Sequence, residues 1–120
     1  MIEGSFTNYN HTQRMADAQE AHARKVRAEV NPRAVLFTLY TTRGDGLHYT
    51  RVARYFAGAT LYLSQGLWNG ELEHLLVIKV VGTMDDLQKV TDLAGDIRVA
   101  NNDTAVLVTY ERVGSILVTE

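Results

Sequence analysis

Two stretches of this sequence, Leu75–Val81 (LLVIKVV) and Ala105–Tyr110 (AVLVTY), read as strands with almost no polar interruption. A strand points successive side chains to opposite faces. Leu76, Ile78 and Val80 therefore face one way, and Leu75, Val77 and Val81 the other; Val106 and Val108 likewise oppose Ala105 and Leu107. An antiparallel sheet with one wet face shows alternation of apolar and polar residues. These strands do not, so the chain must fold into a sheet that finds cover on both faces. With 120 residues it forms one domain, and the helices of one small domain cover one face. The second face is expected to be buried against other copies of the chain, making it an obligate homo-oligomer. The alternative is a monomer closed by its own N-terminal segment.

The rest of the chain supplies the partners of these strands. Residues 1–10 are polar and predict a flexible tail. His11–Val30 is rich in helix formers and predicts a helical arm with Thr12 as N-cap; its apolar stripe is thin (Met15, Val26, Val30), and Asn31-Pro32 stops it. Residues 33–120 then form the domain proper. Ala34–Thr42 predicts a strand, Arg43–Gly46 a turn, and Leu47–Phe56 a short helix with Gly58 as its C-cap. Ala59–Ser64 predicts a strand, Gln65–Gly70 a turn, and Leu72–Val81 a strand. Thr83 caps a helix with Asp85 and Asp86 in its first turn. Met84, Leu87, Val90, Leu93, Ala94 and Ile97 recur along that helix at helical spacing, and Asn101-Asn102-Asp103 ends it. Thr104–Arg112 and the terminal ILVTE are strands. The order β-α-β-β-α-β plus a C-terminal strand is the ferredoxin-like arrangement, an α+β fold on one antiparallel sheet.

Several function classes drop out. There is no cysteine, hence no disulfide, thiolate zinc site or cysteine nucleophile. His11, His22, His48 and His74 have no metal-ligand spacing, so no metal and no cofactor are expected. Gly44-Asp45-Gly46 matches no phosphate-loop pattern and reads as a tight turn. The net charge of −2 argues against nucleic acid as a partner. Residues 1–58 carry a net +3 and residues 59–120 a net −5, an asymmetry that suits attraction between copies or ordinary surface variation. No apolar run reaches the length of a membrane span, and the N-terminus has no apolar signal region, so the expected location is the cytoplasm.

One segment carries chemistry. Tyr62–Glu73 (YLSQGLWNGELE) places Tyr62, Trp68, Glu71 and Glu73 on or beside one hairpin, and Glu111 follows Tyr110 on the last main strand. Aromatic faces and carboxylates together suit a cationic organic ligand: rings attract the cation, carboxylates bind an ammonium. The same residues would also serve as a solvated hairpin with Trp68 as a packing or interface anchor.

From Val35 to Val118 the chain resembles the PII-like trimers and, among them, the phage-encoded S-adenosylmethionine lyases. The resemblance lies in LFTLYTT, LYLSQGLWNGELE and AVLVTYERVGSILV, in their order and spacing. It fits the PII signalling proteins less well, because Gln65–Gly70 leaves no room for their long loop. The lyase resemblance implies a PII-like trimer that cleaves S-adenosylmethionine to methylthioadenosine and homoserine lactone without a cofactor. It implies Glu73 binding the substrate ammonium and Glu111, from a neighbouring subunit, as a second carboxylate. Tyr62 would orient the substrate carboxylate or pack on the sulfonium. Trp68 would stack on adenine or close the pocket, and Glu71 would stand beside it as a further binding residue. Two alternatives stand beside this: a non-catalytic PII-like module for an adenine-containing ligand, and a small phage interaction protein acting on a host factor.

Overall fold

The computed structural model describes residues 27–120. Strand β2 (Val35–Thr42) is followed by helix α1 (His48–Ala53) and the hairpin β3 (Thr60–Trp68) and β4 (Glu71–Gly82). A single 3-10 turn (Met84–Asp86) opens helix α2 (Leu87–Asn101), which leads to β5 (Leu107–Arg112). These strands form one antiparallel sheet in the order β3-β4-β2-β5, so the α+β architecture expected from the sequence is present. This sheet and its helices lie within one compact unit, Asn31–Gly114. A separate two-stranded ribbon pairs β1 (Arg27–Asn31) with β6 (Ser115–Thr119).

The register shows why the central strands are so apolar. Leu39 stands opposite Ile78 on one side and Val108 on the other, and Ile78 stands opposite Leu61. This row and its neighbours Val35, Phe37 and Val80 face the helices, which contribute Val52 from α1 and Val90, Leu93 and Ile97 from α2. All of these are buried except Leu61 and Val108, which are half-buried at the flanks of the row. Fully burying each such aliphatic or aromatic side chain stabilises by about 1.5–3 kcal/mol. The helical spacing read in α2 thus marks its core face, although Met84 and Leu87 at its start are exposed.

The opposite face of the sheet carries Thr38, Tyr40, Tyr62, Val77, Val81 and Leu107. Thr38 is buried there, whereas Tyr62 is 43% exposed, and Val81 and Leu107 57% each. Val77 is buried, with Tyr40 and Tyr62 as its cross-strand neighbours.

Four expectations are corrected. Arg27–Val30, placed at the end of an N-terminal helix, is strand instead. Helix propensity is a weak prior, and pairing with Ser115–Thr119 satisfies this backbone as a ladder. The tail over 1–10 and the arm over 11–26 lie outside the described residues. The hairpin turn is not Gln65–Gly70 but Asn69-Gly70 alone, both at positive φ (51° and 80°), the conformation that lets a two-residue loop follow the strand twist. Gly66 stays in β3 because the Leu75 side chain lies over it; a Cβ there would stand 2.5 Å from Leu75 Cδ1. Helix α1 ends at Ala53 with Arg54 as its C-cap, so Gly58 lies beyond it in the connection to β3. Strand β5 begins at Leu107 rather than Thr104, freeing residues 103–106 for another use.

The start of α2 is as the sequence implies. Thr83 Oγ1 accepts from the Asp85 N–H, and Asp86 reaches back to accept from the Thr83 N–H, a reciprocal cap. At the far end Asn102 turns left-handed (φ 55°). The Asn102 and Asp103 N–H groups then donate to the Val99 and Arg98 carbonyls, closing the helix and delivering Asp103 to the end of β2.

Candidate functional site

A cleft of about 460 Å³ opens at the C-terminal end of β2. Its floor is Tyr40 and Thr42 of β2; one wall is the β3–β4 hairpin with Gly66, Trp68, Glu73 and Leu75, the other the segment Asp103–Leu107. The register explains the grouping: Gly66 stands opposite Glu73, Thr42 opposite Leu75, and Tyr40 opposite Leu107, all on the sheet face away from the helices. Gly66 gives this wall its shape by letting Leu75 lie against the strand backbone. Trp68, the only tryptophan, is 60% exposed at the rim.

The cleft is anionic. Among the described residues two carboxylates line it, Glu73 and Asp103, and no Lys, Arg or His does. Its other side chains are aromatic, aliphatic or threonine. Such a site attracts a cation with an apolar body and repels phosphates.

Beneath the floor, a buried polar cluster locks β2 to the helices. Asn101 Nδ2, at the end of α2, donates to Thr41 Oγ1 (3.0 Å), the Thr42 carbonyl (3.1 Å) and Thr42 Oγ1 (2.9 Å). The Thr42 hydroxyl donates in turn to Asp103 Oδ2 (3.2 Å). His48, 1% exposed, donates through Nε2 to the Thr42 carbonyl (3.2 Å) and accepts at Nδ1 from Arg51 (3.0 Å). Burial holds the His48 imidazole below its ordinary pKa, and the Arg51 guanidinium beside it adds to the effect. Arg51 is itself clamped by both oxygens of Asp45 (2.9 and 2.8 Å), which with the Leu47 N–H holds that carboxyl far below the usual carboxylate range. The Gly44-Asp45-Gly46 turn therefore has a structural use. Gly44 sits at φ 58°, and a Cβ there would collide with Asn101 Oδ1.

Of the five residues singled out in the sequence, the cleft brings together Trp68 and Glu73. Tyr62 lies on the same face but four residues from Gly66, about 13 Å along the strand, with the Lys79 ammonium 5.7 Å from its ring centre. Glu71 stands opposite Trp68 at the hairpin end, outside the cleft lining. Glu111 stands opposite Leu36, four residues from Leu107, a further ~13 Å away on β5. Asp103 carries no signal of a site in the sequence, and Tyr40 reads there as a core or interface residue rather than a ligand. Asp103 was absorbed into a helix stop, and its partner Thr42 is 61 residues away, so no local pattern announces the pair.

Among the described residues no group of three His, Cys, Asp or Glu side chains is arranged to hold a metal ion, and no helix is long and apolar enough to cross a membrane. No family model, curated protein or solved structure matches the chain.

Proposed function

We propose that this protein is an S-adenosylmethionine lyase of ferredoxin-like, PII-like architecture, working as a homo-oligomer and most simply as a trimer. The observation that carries the reading is the cleft: aromatic, bounded by two carboxylates, with no cation among its described lining residues, and of a size typical for small-molecule sites, roughly 300–1,000 Å³. S-adenosylmethionine carries a sulfonium, an ammonium and one carboxylate, a net single positive charge, beside a flat adenine. That is the complement of such a lining. A nucleoside polyphosphate is not, which weighs against nucleotide-dependent signalling. The strand order β3-β4-β2-β5 supports the ferredoxin-like topology, and the two-residue Asn69-Gly70 loop accords with the absence of a long signalling loop. The exposed Tyr40, Tyr62, Val81 and Leu107 on the sheet face away from the helices support packing between copies.

In this reading the substrate carboxylate attacks its own Cγ. The new C–O bond closes homoserine lactone, the C–S bond breaks, and its electron pair leaves on sulfur as neutral methylthioadenosine. No protein nucleophile or added water is consumed. The protein folds the methionine chain into the attacking conformer and keeps water from the ions, because carboxylate and sulfonium neutralise each other as the barrier is crossed. Glu73 takes the ammonium, whose charge is unchanged by the reaction, and Trp68 stacks on adenine. Tyr62 and Glu111 lie too far along the sheet to reach the same cleft, so their contribution comes from a neighbouring copy packed on the open face. Glu71, at the hairpin end, stands at the rim beside Trp68.

Glu73→Gln tests the assignment. It should reduce turnover of S-adenosylmethionine by at least 100-fold while light scattering gives an unchanged oligomer. Near-normal turnover in that variant would remove Glu73 from the site.

A further inference from the structure

The second carboxylate of the cleft has no part in the roles above, yet it is the better anchored of the two. The Thr42 hydroxyl oxygen accepts a hydrogen bond from Asn101 Nδ2 at 2.9 Å, so its own O–H is turned toward Asp103 Oδ2 at 3.2 Å. The main chain is fixed as well: the Asp103 N–H donates to the Arg98 carbonyl (3.0 Å), and Arg98 Nη1 donates to the Asp103 carbonyl (3.2 Å). Asp103 Oδ1 receives no hydrogen bond from the described residues, and no described Lys or Arg pairs with the carboxylate. A carboxylate at a cleft wall, held by one oxygen and open at the other, is a preorganised acceptor for hydroxyl or ammonium donors.

We propose that Asp103 binds the ribose hydroxyls of the adenosyl group, an inference that rests on the S-adenosylmethionine reading of the cleft. The choice among donors follows from the chemistry. A carboxylate over the sulfonium would hold the charged ground state more tightly than a transition state in which that charge is fading, and so would slow the reaction. The ammonium and the adenine are matched by Glu73 and Trp68 on the hairpin wall. The adenine 6-amino group lies at the end of the molecule held by Trp68; the donors in its middle are the 2′- and 3′-hydroxyls, and the remaining carboxylate is Asp103 on the facing wall. Vicinal hydroxyls suit a carboxylate, and their polarity is the same before and after C–S cleavage. Asp103 therefore contributes to specificity for the ribosyl moiety and lowers KM more than it raises kcat. Thr42 is the positioning residue that aims it.

The test uses the full-length protein and two ligand series, read by quenching of Trp68. S-adenosylhomocysteine has no sulfonium leaving group, so it reports binding without turnover. It is compared with its 2′-deoxy and 3′-deoxy analogues, in the wild type and in Asp103→Asn. In the wild type, removing the hydroxyl that Asp103 contacts should weaken binding about 10- to 100-fold, the range for a hydrogen bond to a charged group. In Asp103→Asn that penalty should shrink to a few-fold, whereas a merely structural role would weaken all three ligands equally. Thr42→Val keeps the carboxylate and removes its anchor, and should shrink the penalty part of the way. Equal deoxy penalties in the wild type and Asp103→Asn would overturn the role of Asp103 alone. Failure of both S-adenosylmethionine and S-adenosylhomocysteine to bind the wild type would overturn the adenosyl reading, and the ribose assignment with it.

Discussion

Asn101 is where fold and site are most tightly joined, and Asn101→Ala measures that junction. One amide nitrogen serves three acceptors, Thr41 Oγ1 and the carbonyl and hydroxyl of Thr42. Thr41 is buried, so loss of its donor strands a hydroxyl away from water, costing about 1–3 kcal/mol. Thr42 keeps His48 on its carbonyl and Asp103 on its hydroxyl, and its two oxygens share the second N–H of the amide, so their loss counts as one ordinary bond of roughly 1 kcal/mol. Two effects oppose this. Alanine is the better helix former by about half a kcal/mol, and the substitution removes Asn101 Oδ1, a buried acceptor with no partner among the described residues. The net destabilisation is about 2–3 kcal/mol. With a urea m-value of about 1.5 kcal/mol/M for a chain of this size, the midpoint should fall by roughly 1.5–2 M. Trp68 fluorescence and circular dichroism would both follow the transition. A midpoint within 0.5 M of wild type (~0.7 kcal/mol at that slope) would refute the view that this amide ties β2 to α2.

Two further outcomes follow from the same geometry. His48 is buried with its pKa held below the ordinary imidazole value of 6.5, so the unfolded chain binds the proton more readily than the folded one. Its contribution to stability is fully present above about pH 6.5 and is lost as pH falls from there through the folded-state pKa. Denaturation midpoints between pH 7.5 and 5.5 should decline in the wild type and flatten in His48→Gln; an unchanged slope in that variant would contradict the assignment. Gly66→Ala sets a methyl group against Leu75 in the hairpin wall. It should cost about 1–3 kcal/mol by overpacking and change Trp68 emission, and neutral behaviour on both counts would contradict the packing described for this wall.

The sequence made most of the sheet legible because its signal is chemical and local. Continuous apolar strands announced two apolar faces, and the spacing of Val90, Leu93 and Ile97 announced the core side of α2. Thr83 followed by Asp86 announced its start. Arg27–Val30 misled because its residues favour a helix in isolation, while the strand it pairs with is more than 80 residues away, beyond any local pattern. The hairpin misled through Gly66, whose glycine answers to a leucine crossing over it rather than to a turn. The site was half legible. Trp68 and Glu73 declared themselves by composition, but Asp103 reaches the cleft only because a left-handed Asn102 closes the helix and swings the chain to Thr42. Such a meeting is made by tertiary structure and leaves no mark on neighbouring residues.

On the proposed reading, the anionic aromatic cleft cleaves S-adenosylmethionine. Incubating the purified protein with S-adenosylmethionine and separating the products by chromatography, against a no-enzyme control, tests it most directly. Methylthioadenosine and homoserine lactone should form in equal amounts. Intact S-adenosylmethionine after incubation with folded, oligomeric protein would contradict the reading.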